Sequence, residues 1–499
     1  MSLFRKKDLA AMLAQAEDGG KGLKRTLGAG NLIALGVGAI IGAGLFVRTA
    51  AAAGQAAGPA VTISFIVAAI GCAFAGLCYA EFAAMIPISG SAYAYSYVTM
   101  GETVAWIIGW ALIMEYALGA ATVSIAWSEY LNKLLGDRIP YEWCHSPFES
   151  LTDSAGVLHH GIMNAPALII LLLLTLLLIK GTQESAIVNA IIVFIKVAIV
   201  LIFIFVGWQF IKPENHTPYL IPANQPSVKD GAGKVIADYS GVFKHGWGGV
   251  LGGAAIVFFA FIGFDAVSTA AQEAKNPKRD MPIGILGSLV VCTILYILFG
   301  HVLTGVAPWT DFVDPTKGKE ASVAYAISSY MTGYGWLATA VTVAILAGFS
   351  SVILVMLMGQ SRVFFSMAND GLLPKVFSDL HPKYRTPYKS NWILFIFVGA
   401  FAAFVPGSVA GDLTSFGTLF AFVLVSAGIW ILRVKSPNME RPFKTPLVPL
   451  VPILGAVICL AMIFALDAQT LKVAFGWMAL GLFVYFAYSR KTSKLNNEN

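Results

Sequence analysis

The segment GVGAIIGAGLFV, residues 36–47, decides how this chain folds. It is apolar enough to lie in a lipid bilayer, yet four of its twelve residues are glycine, and each glycine weakens a helix by about 1 kcal/mol relative to alanine. In hydrocarbon every backbone N–H and C=O needs a partner, so a gap in a helix is tolerated only where it faces protein or a polar cavity. The segment predicts a membrane helix interrupted at Gly38, Gly42 and Gly44. The alternative is close helix packing, because Gly38 and Gly42 are four residues apart.

The composition of the whole chain is that of a membrane protein. Of its 499 residues, 57% are hydrophobic and 12% are charged, and the mean hydropathy is +0.75. A soluble protein cannot bury that much apolar surface in one core, so we expect a polytopic membrane protein. Runs of about 20 apolar residues predict twelve spans. These spans are expected at residues 30–53, 59–86, 102–132, 164–181, 185–210, 248–274, 283–306, 336–361, 391–406, 412–433, 447–467 and 472–489.

The basic residues predict an orientation and not a nucleic-acid partner. The formal net charge is +6, but lysine and arginine lie between the apolar runs. They collect in the segments that face the cytoplasm if both termini are inside, whereas the long segments 133–163, 211–247 and 307–335 hold fewer. We therefore expect a multi-pass protein of the cell membrane, embedded in the lipid bilayer, with cytoplasmic amino and carboxyl termini.

The sequence lacks the motifs of several other functional classes. It contains no HExxH, GxSxG or Walker motif, so neither an enzyme nor a cofactor or metal site is predicted. It also lacks a filter sequence such as TVGYG, which makes a channel the least favoured alternative.

The sixth predicted span contains a second interruption. AIVFFAFIGFDAVSTA, residues 255–270, places Gly263 and Asp265 in mid-span. With five spans in each half, the first and sixth spans are equivalent and oppositely oriented, and paired interruptions of this kind indicate a transporter's central site. Free amides at such a gap suit a carboxylate and free carbonyls suit a cation, so a zwitterion matches both. Asp265 is expected to cap the second half of the sixth helix, with ligand or proton contact as the alternative.

Two ionisable residues are isolated in other spans. Lys196 is the only charge between Glu184 and Lys212, and a lysine at mid-span costs about 2.5–3.5 kcal/mol on insertion scales. It either takes up and releases a proton during transport or permanently fills a carbonyl-rich break. Glu115 either contacts the ligand amine, a cationic side chain or ordered water, or it is a carboxyl group hydrogen-bonded to a neighbouring helix.

Several long stretches resemble one known superfamily. These are GVGAIIGAGLFV, residues 57–102, FIGFDAVSTAAQEAKNPKRDMPIGI and QSRVFFSMANDGLLPKVFSDLHPKYRTP. Together they resemble the amino acid–polyamine–organocation superfamily, and within it the cationic amino acid transporter branch, including bacterial members. The resemblance runs over most of residues 25–435.

The resemblance implies an all-α membrane protein of the leucine-transporter (LeuT) type. In that fold two inverted repeats of five helices are followed by two extra helices, and helices 1 and 6 of the twelve are broken. The implied domains are a cytoplasmic segment at 1–29, repeats at 30–210 and 248–433, the extra helices at 447–489 and a cytoplasmic tail at 490–499.

The resemblance also implies contacts for an amino acid substrate. The substrate carboxylate would meet backbone amides around Gly42, Ala43 and Gly44. The ammonium would meet main-chain carbonyls, and an aromatic ring would lie over the ligand as a gate. The carbonyls are those of Ile40, Phe259 and Ile262, or alternatively Phe258, and the ring is that of Phe259.

Lys196 matches a fifth-helix lysine that replaces a sodium ion in sodium-independent relatives. Its ammonium would approach first-helix carbonyls near Gly38 and Ile41, and the eighth-helix Ser350 and Ser351. Serines in helices also satisfy themselves on their own backbone, so the role of this serine pair rests on the resemblance.

The expected activity is proton-coupled symport of L-amino acids by alternating access. Only Glu115 and Asp265 could pair with a cationic side chain, while Phe258, Phe259 and Phe261 would narrow the pocket. Small neutral substrates such as alanine are therefore favoured over lysine and arginine. An exchanger and an amino acid sensor that does not transport are the alternatives. A small accessory membrane protein is left open.

Overall fold

The computed structural model describes most of the chain. The described residues are 5–7, 25–42, 44–88, 90–152, 158–229, 235–314, 322–405, 407–464 and 468–496.

Helices form nearly all of the regular structure in these ranges. In chain order the α-helices are α1 Ala29–Ile40, α2 Val61–Met85, α3 Ser91–Thr99, α4 Glu102–Leu112, α5 Gly119–Leu134, α6 Ala165–Lys180, α7 Thr182–Gly207, α8 Gly246–Phe258, α9 Ala266–Thr269, α10 Pro277–Val306, α11 Ser322–Tyr330, α12 Gly335–Asn369, α13 Tyr388–Phe404, α14 Gly407–Lys435, α15 Leu450–Phe464 and α16 Ala468–Val484. Further short helical turns, including Thr49–Ala52 and Arg490–Thr492, join or extend these helices. Two small antiparallel hairpins lie in the connecting segments, Ser150–Thr152 with Leu158–His160 and Val228–Lys229 with Val235–Ala237.

Within the described ranges, eight helical runs are long and apolar enough to cross a membrane. They are Gly44–Met85, Glu102–Leu134, Ser185–Phe210, Gly246–Thr269, Pro277–Val306, Gly335–Asn369, Leu413–Lys435 and Thr470–Thr492. Four shorter apolar helices are Ala29–Ile40, Ala165–Lys180, Tyr388–Phe404 and Leu450–Phe464. The protein is thus a predominantly helical membrane protein.

Two helices extend beyond their predicted ends. α12 continues to Asn369, although the predicted span ends at 361, because Gln360 and Arg362 are buried by protein and not exposed to solvent. α10 begins at Pro277, six residues before the predicted start at 283, and Asp280 in its first turn is buried. A hydropathy pattern ends a span at its first polar residues, whereas here those residues continue the helix inside the protein.

Large apolar side chains cover the outside of the helical bundle. Phe194 and Phe205 of α7 are 75% and 72% exposed, and Val290 of α10 is 58% exposed. Lys196, on α7 between these two phenylalanines, is fully buried. This arrangement, with apolar side chains outside and polar side chains within, matches a protein whose surroundings are lipid.

One end of the bundle carries the described residues of both chain termini, and we call it the termini face. The Arg5 Nη1 donates to the carbonyl of Leu495 at 3.0 Å, and Lys7 forms an ion pair with Asp370. The Glu102 carboxylate accepts a hydrogen bond from Ser493 Oγ at 2.5 Å. These contacts tie residues 5–7 and the segment after α16 to the ends of α4 and α12.

Candidate functional site

The first predicted interruption is present. α1 ends at Ile40, and the amide of Ile41 donates to the Val37 carbonyl at 2.9 Å as the last bond of its helical ladder. The chain resumes as a π-helical turn at Gly44–Arg48. Ala43, one of the predicted substrate contacts, lies outside the described residues. Gly42 and Gly44 therefore lie beyond the hydrogen-bond ladder of α1.

The sixth predicted span is interrupted as well. α8 ends at Phe258, a 3₁₀ turn follows at Phe259–Phe261, and helical structure resumes at Ala266. Gly263 has a φ of +111°, and a Cβ on it would lie 2.9 Å from the Cβ of Ala39. The backbone conformation and the close approach to α1 both require glycine here.

The two interruptions lie against each other. A Cβ on Gly44 would overlap the backbone of Ala260, and a Cβ on Gly42 would lie 2.7 Å from Val352 Cγ2. The two interpretations of the glycine segment, an interrupted helix and close helix packing, are therefore both correct. The glycines permit both an interrupted helix and close packing of the sixth and eighth helical regions against that interruption.

Tyr296 of α10 joins the two interruptions and was not predicted from the sequence. Its hydroxyl lies 2.9 Å from the Ile40 carbonyl and 2.8 Å from the Ala260 carbonyl, and its side chain is fully buried. The Ile40 carbonyl, a predicted contact of the substrate ammonium, already accepts this hydroxyl. In the sequence, a tyrosine inside an apolar span looks like an ordinary core residue. No sequence signal therefore distinguishes Tyr296 from tyrosines that only pack in the core.

Lys196 contacts the first interruption. Its ammonium donates to the Ile41 carbonyl at 2.7 Å and to the Gly38 carbonyl at 2.9 Å. The side chain is fully buried. These are the two carbonyl groups that the resemblance implies, and each would otherwise be unpaired at the end of α1.

The implied contact of Lys196 with the two serines has a different form. Ser351 Oγ donates to Asn189 Oδ1 at 2.6 Å, and Ser350 Oγ donates to the Leu346 carbonyl of its own helix at 2.9 Å. Asn189 Nδ2 in turn donates to the Ala34 carbonyl at 3.2 Å. Among the described residues, the hydrogen bonds of the Lys196 ammonium go to main-chain carbonyls and not to either serine.

Asn189 is a further residue that the sequence analysis missed. It lies seven residues before Lys196, two turns along the same face of α7, and both side chains contact the first helix. A Cβ on Gly38 would lie 2.7 Å from both Asn189 Oδ1 and Ser351 Oγ, so glycine leaves room for this pair. The available signal was the seven-residue spacing of two polar residues on an apolar helix.

Glu115 and Asp265 form a buried carboxyl pair. Glu115 lies in a π-helical turn, Ile113–Leu118, and both side chains are fully buried next to each other. The Tyr116 hydroxyl donates to Asp265 Oδ2 at 2.6 Å. The Glu115 carboxyl group also faces Thr418.

The predicted capping role of Asp265 is wrong. Asp265 does precede α9, but its side chain makes no capping hydrogen bond to that helix. The neighbouring Tyr116 hydroxyl donates to Asp265 Oδ2 instead. Sequence spacing could not reveal this partner, because Tyr116 and Asp265 are 149 residues apart.

Aromatic side chains line the sixth interruption. Phe258 and Ile262 are buried, while Phe259 is partly exposed. The Arg48 guanidinium lies over the Phe259 ring, 5.0 Å from its centroid. This cation–π contact links the helical region after the first interruption to the predicted gate ring. Arg48 was not among the predicted site residues.

The chain matches a known family along nearly its whole length. A family model described as amino acid permease covers residues 27–488. The chain belongs to the amino acid permease family. The family model and the cationic amino acid transporter relatives together place the permease in the amino acid–polyamine–organocation superfamily, as the resemblance implies. The permease is a membrane transporter, not an enzyme, and amino acid transport is the activity class of its family.

Individual relatives are similar over all or most of the chain but carry different names. The permease is 43% identical to the branched-chain amino acid permease BcaP of Bacillus subtilis (strain 168), covering 99% of each chain. It is 41% identical to the methylthioribose transporter of the same strain, again over 99% of each chain. It is 34% identical to the vacuolar cationic amino acid transporter 4 of Arabidopsis thaliana, over 88% of the permease and 68% of that relative.

The contact between the interruptions can be tested at Gly44. We expect Gly44→Ala to abolish stabilisation of the purified permease by amino acids and to lower its thermal midpoint, because overpacking of this kind costs about 1–3 kcal/mol. Gly30→Ala, in α1, is the matched control, since nothing lies within 4 Å of a Cβ there. Thermal unfolding with and without a panel of amino acids measures both effects. Identical behaviour of the two variants would contradict the assigned contact.

The hydroxyl bridge can be tested at Tyr296. Tyr296→Phe removes one oxygen and leaves the carbonyls of Ile40 and Ala260 without that donor, so we expect a loss of about 1–3 kcal/mol of stability. Amino acid affinity should fall as well, because the two interruptions lose their link. Tyr488→Phe, at a position that is 41% exposed, should change neither quantity. Unchanged thermal midpoints for both variants would refute the bridge.

Proposed function

We propose that this permease is a proton-coupled symporter of neutral L-amino acids that works by alternating access in the cell membrane. The observation that carries the proposal is the position of Lys196, whose ammonium donates to the Gly38 and Ile41 carbonyls at the first helix interruption. A proton carrier placed there acts directly on the backbone that would hold the substrate.

The proposed topology has twelve spans in two inverted five-helix repeats followed by two extra helices. The repeats are 30–210 and 248–433, the extra helices lie within 447–489, and the terminal segments 1–29 and 490–499 are cytoplasmic. The two interruptions at the first and sixth helical regions support this arrangement, since equivalent broken helices are the mark of such repeats. The termini face is then the cytoplasmic end of the bundle.

The proposed substrate site lies between the interruptions. The carboxylate binds the amides around Gly42 to Gly44, where the helical turn that begins at Gly44 leaves its first N–H groups free of intrahelical partners. The ammonium binds main-chain carbonyls of the sixth interruption, those of Phe259 and Ile262. The Ile40 carbonyl contributes its remaining lone pair, since one is taken by the Tyr296 hydroxyl.

The proposed coupling step is the gain and loss of a proton at Lys196. When charged, the ammonium makes two charge-assisted hydrogen bonds to carbonyls at the end of α1. Loss of the proton weakens both bonds together and frees the end of α1 to change position. Transport of an amino acid and release of the proton are thereby linked through one helix end.

The proposed substrates are neutral aliphatic amino acids. Phe258, Phe259 and Ile262 place apolar side chains at the site, which favours an apolar substrate side chain, small ones such as alanine first. A relative named as a branched-chain amino acid permease is consistent with this class. A relative named as a methylthioribose transporter makes that thiosugar a necessary member of any test panel.

Cationic amino acids are the second candidate substrates. The specific observation is the Glu115–Asp265 pair, two adjacent and fully buried carboxyl groups whose negative charge would favour the side-chain cation of lysine or arginine. Relatives named as cationic amino acid transporters agree with this candidate.

The coupling role predicts the behaviour of Lys196→Ala. In sodium-free proteoliposomes with an imposed pH gradient, we expect this variant to lose concentrative uptake of labelled alanine, by roughly tenfold or more, while binding persists. The physical reason is that the titrating charge at the end of α1 is gone. Lys472→Ala, an exposed lysine in α16, is the control and should accumulate alanine normally. Undiminished accumulation in Lys196→Ala would rule out the coupling role.

A competition panel separates the substrate candidates. The panel tests alanine, leucine, lysine, arginine and methylthioribose as competitors of labelled alanine uptake. We expect the neutral amino acids to compete most strongly. If cationic substrates are carried, Glu115→Gln should weaken their uptake by roughly 10–150-fold, the equivalent of one charge-assisted hydrogen bond, and spare alanine. Lysine uptake that is unaffected by Glu115→Gln would remove the carboxyl pair from the substrate site.

A further inference from the structure

We infer that a groove between α10 and the segment 436–449, which joins α14 to α15, binds one anionic phospholipid. The lipid phosphate contacts Lys278 and Arg279, and its acyl chains lie on α2 between α10 and α15. The groove lies at the termini face, where Lys435 at the end of α14 is close to Lys6. The inference requires only that the protein spans a bilayer, so it does not depend on the proposed function.

The floor of this lipid groove is α2, because α10 and α15 both pack against it. A Cβ on Gly76 would lie 2.7 Å from Leu289 Cδ1 of α10, and a Cβ on Gly71 would lie 3.4 Å from Ile458 Cγ2 of α15. Positions 71 and 76 are about 140° apart around a helix of 3.6 residues per turn. The two neighbouring helices therefore lie on different sides of α2.

The face of α2 between these two contacts is apolar and open. Ile66 and Ile70 are 43% and 52% exposed, and Ala73 and Leu77 are half-buried. These four positions fall within about 60° of one another around the helix and extend about 16 Å along it. One leaflet of the hydrocarbon core is about 15 Å thick, so the open face has the length of a bound acyl chain.

Cationic and apolar side chains line the groove where it reaches the termini face. The groove has a volume of about 620 Å³. Lys278 and Arg279, in the first turn of α10, form its rim, and Ile283, Leu286 and Phe443 form its walls. A lipid headgroup and the first part of its acyl chains need this order of surfaces, with charge at the membrane boundary and apolar walls below it.

The charge of the rim is poorly compensated by the protein. Lys278 lies 3.9 Å from Glu440, but both side chains are largely exposed, and such a pair contributes little. Lys444 is also exposed, one residue after Phe443 of the opposite wall. The first turn of a helix disfavours positive charge, so the rim cations do not stabilise α10 itself. A bound anion would stabilise both.

The wall that carries Phe443 is held in place without a ligand. Arg441 Nη1 donates to the Met439 carbonyl at 2.7 Å, and the Thr445 amide donates to Glu81 Oε2 at 2.7 Å. Glu81 is fully buried on α2, so the wall is fixed to the floor of the groove. A site that is formed in advance loses little conformational freedom on binding, which favours a tightly held lipid.

These two surfaces together select the class of ligand. A soluble anion would leave the apolar face of α2 uncovered, and a neutral lipid would leave the rim cations without an anion. An anionic phospholipid, such as phosphatidylglycerol, matches both surfaces.

Native mass spectrometry of the full-length permease tests the site. With equimolar phosphatidylglycerol and phosphatidylcholine of the same acyl chains, we expect one phosphatidylglycerol to be retained preferentially. Lys278→Gln/Arg279→Gln should lower its apparent affinity by roughly 30-fold, since each cation at a membrane surface contributes about fivefold. Both side chains are exposed, so the thermal midpoint of the lipid-free variant should match that of the unaltered protein.

A second double variant controls for general attraction between basic residues and anionic lipid. Lys275→Gln/Lys375→Gln removes the same charge from exposed positions outside the groove and should retain phosphatidylglycerol. Equal losses in the two double variants, or no loss in Lys278→Gln/Arg279→Gln, would overturn the site.

The apolar part of the site has its own matched pair of variants. Ile283 and Val291 of α10 are each 38% exposed, but only Ile283 lines the groove. Ile283→Ser should weaken phosphatidylglycerol binding by roughly fivefold, through lost apolar contact, and Val291→Ser should leave it unchanged. Glycerol 3-phosphate, which has no acyl chains, should not displace the lipid. Displacement by glycerol 3-phosphate, or a second polypeptide retained in place of the lipid, would contradict the inference.

Discussion

The structure depends on one constraint, which is that main-chain polar groups at mid-membrane depth must find partners inside the protein. Two helices are interrupted, at Ile40 and again after Phe261, and their end groups lose their intrahelical partners. The freed carbonyls are met by side chains delivered from other helices, the Lys196 ammonium from α7 and the Tyr296 hydroxyl from α10. Unpaired backbone groups at such an interruption would be costly in lipid, and these side chains stabilise it inside the protein.

The sequence was sufficient for features that depend on local pattern. Glycines in apolar runs predicted both interruptions, and an isolated Lys196 with the family resemblance predicted its contact with the first helix. The sequence was insufficient where partners are far apart in the chain. Tyr116 turns Asp265 away from its expected capping role across 149 residues, and Asn189 reaches Ser351 across 162. In both cases tertiary contacts override what local propensity favours.

The ends of helices were also misjudged for a physical reason. Hydropathy treats a charged residue as the edge of a span, yet Arg362 continues α12 because Glu273 compensates its charge inside the protein. Glu81 and Arg433 repeat the arrangement between α2 and α14. The buried Glu273–Arg362 pair thus allows α12 to continue past its apolar run, and a single sequence does not reveal such a pairing.

The first helical region is held at two places, and the two contacts differ chemically. Near one end, the Gly38 and Ile41 carbonyls are held by Lys196, a group that can lose its charge. Two residues before α1, Leu27 is hydrogen-bonded to the backbone of Glu273, whose side chain accepts hydrogen bonds from Arg362. From Ala29 to Gly38 the helix rises about 14 Å at 1.5 Å per residue, so one short helix connects the two contacts. In the proposed coupling, loss of the Lys196 proton removes one of these two restraints, and α1 itself is the path between them.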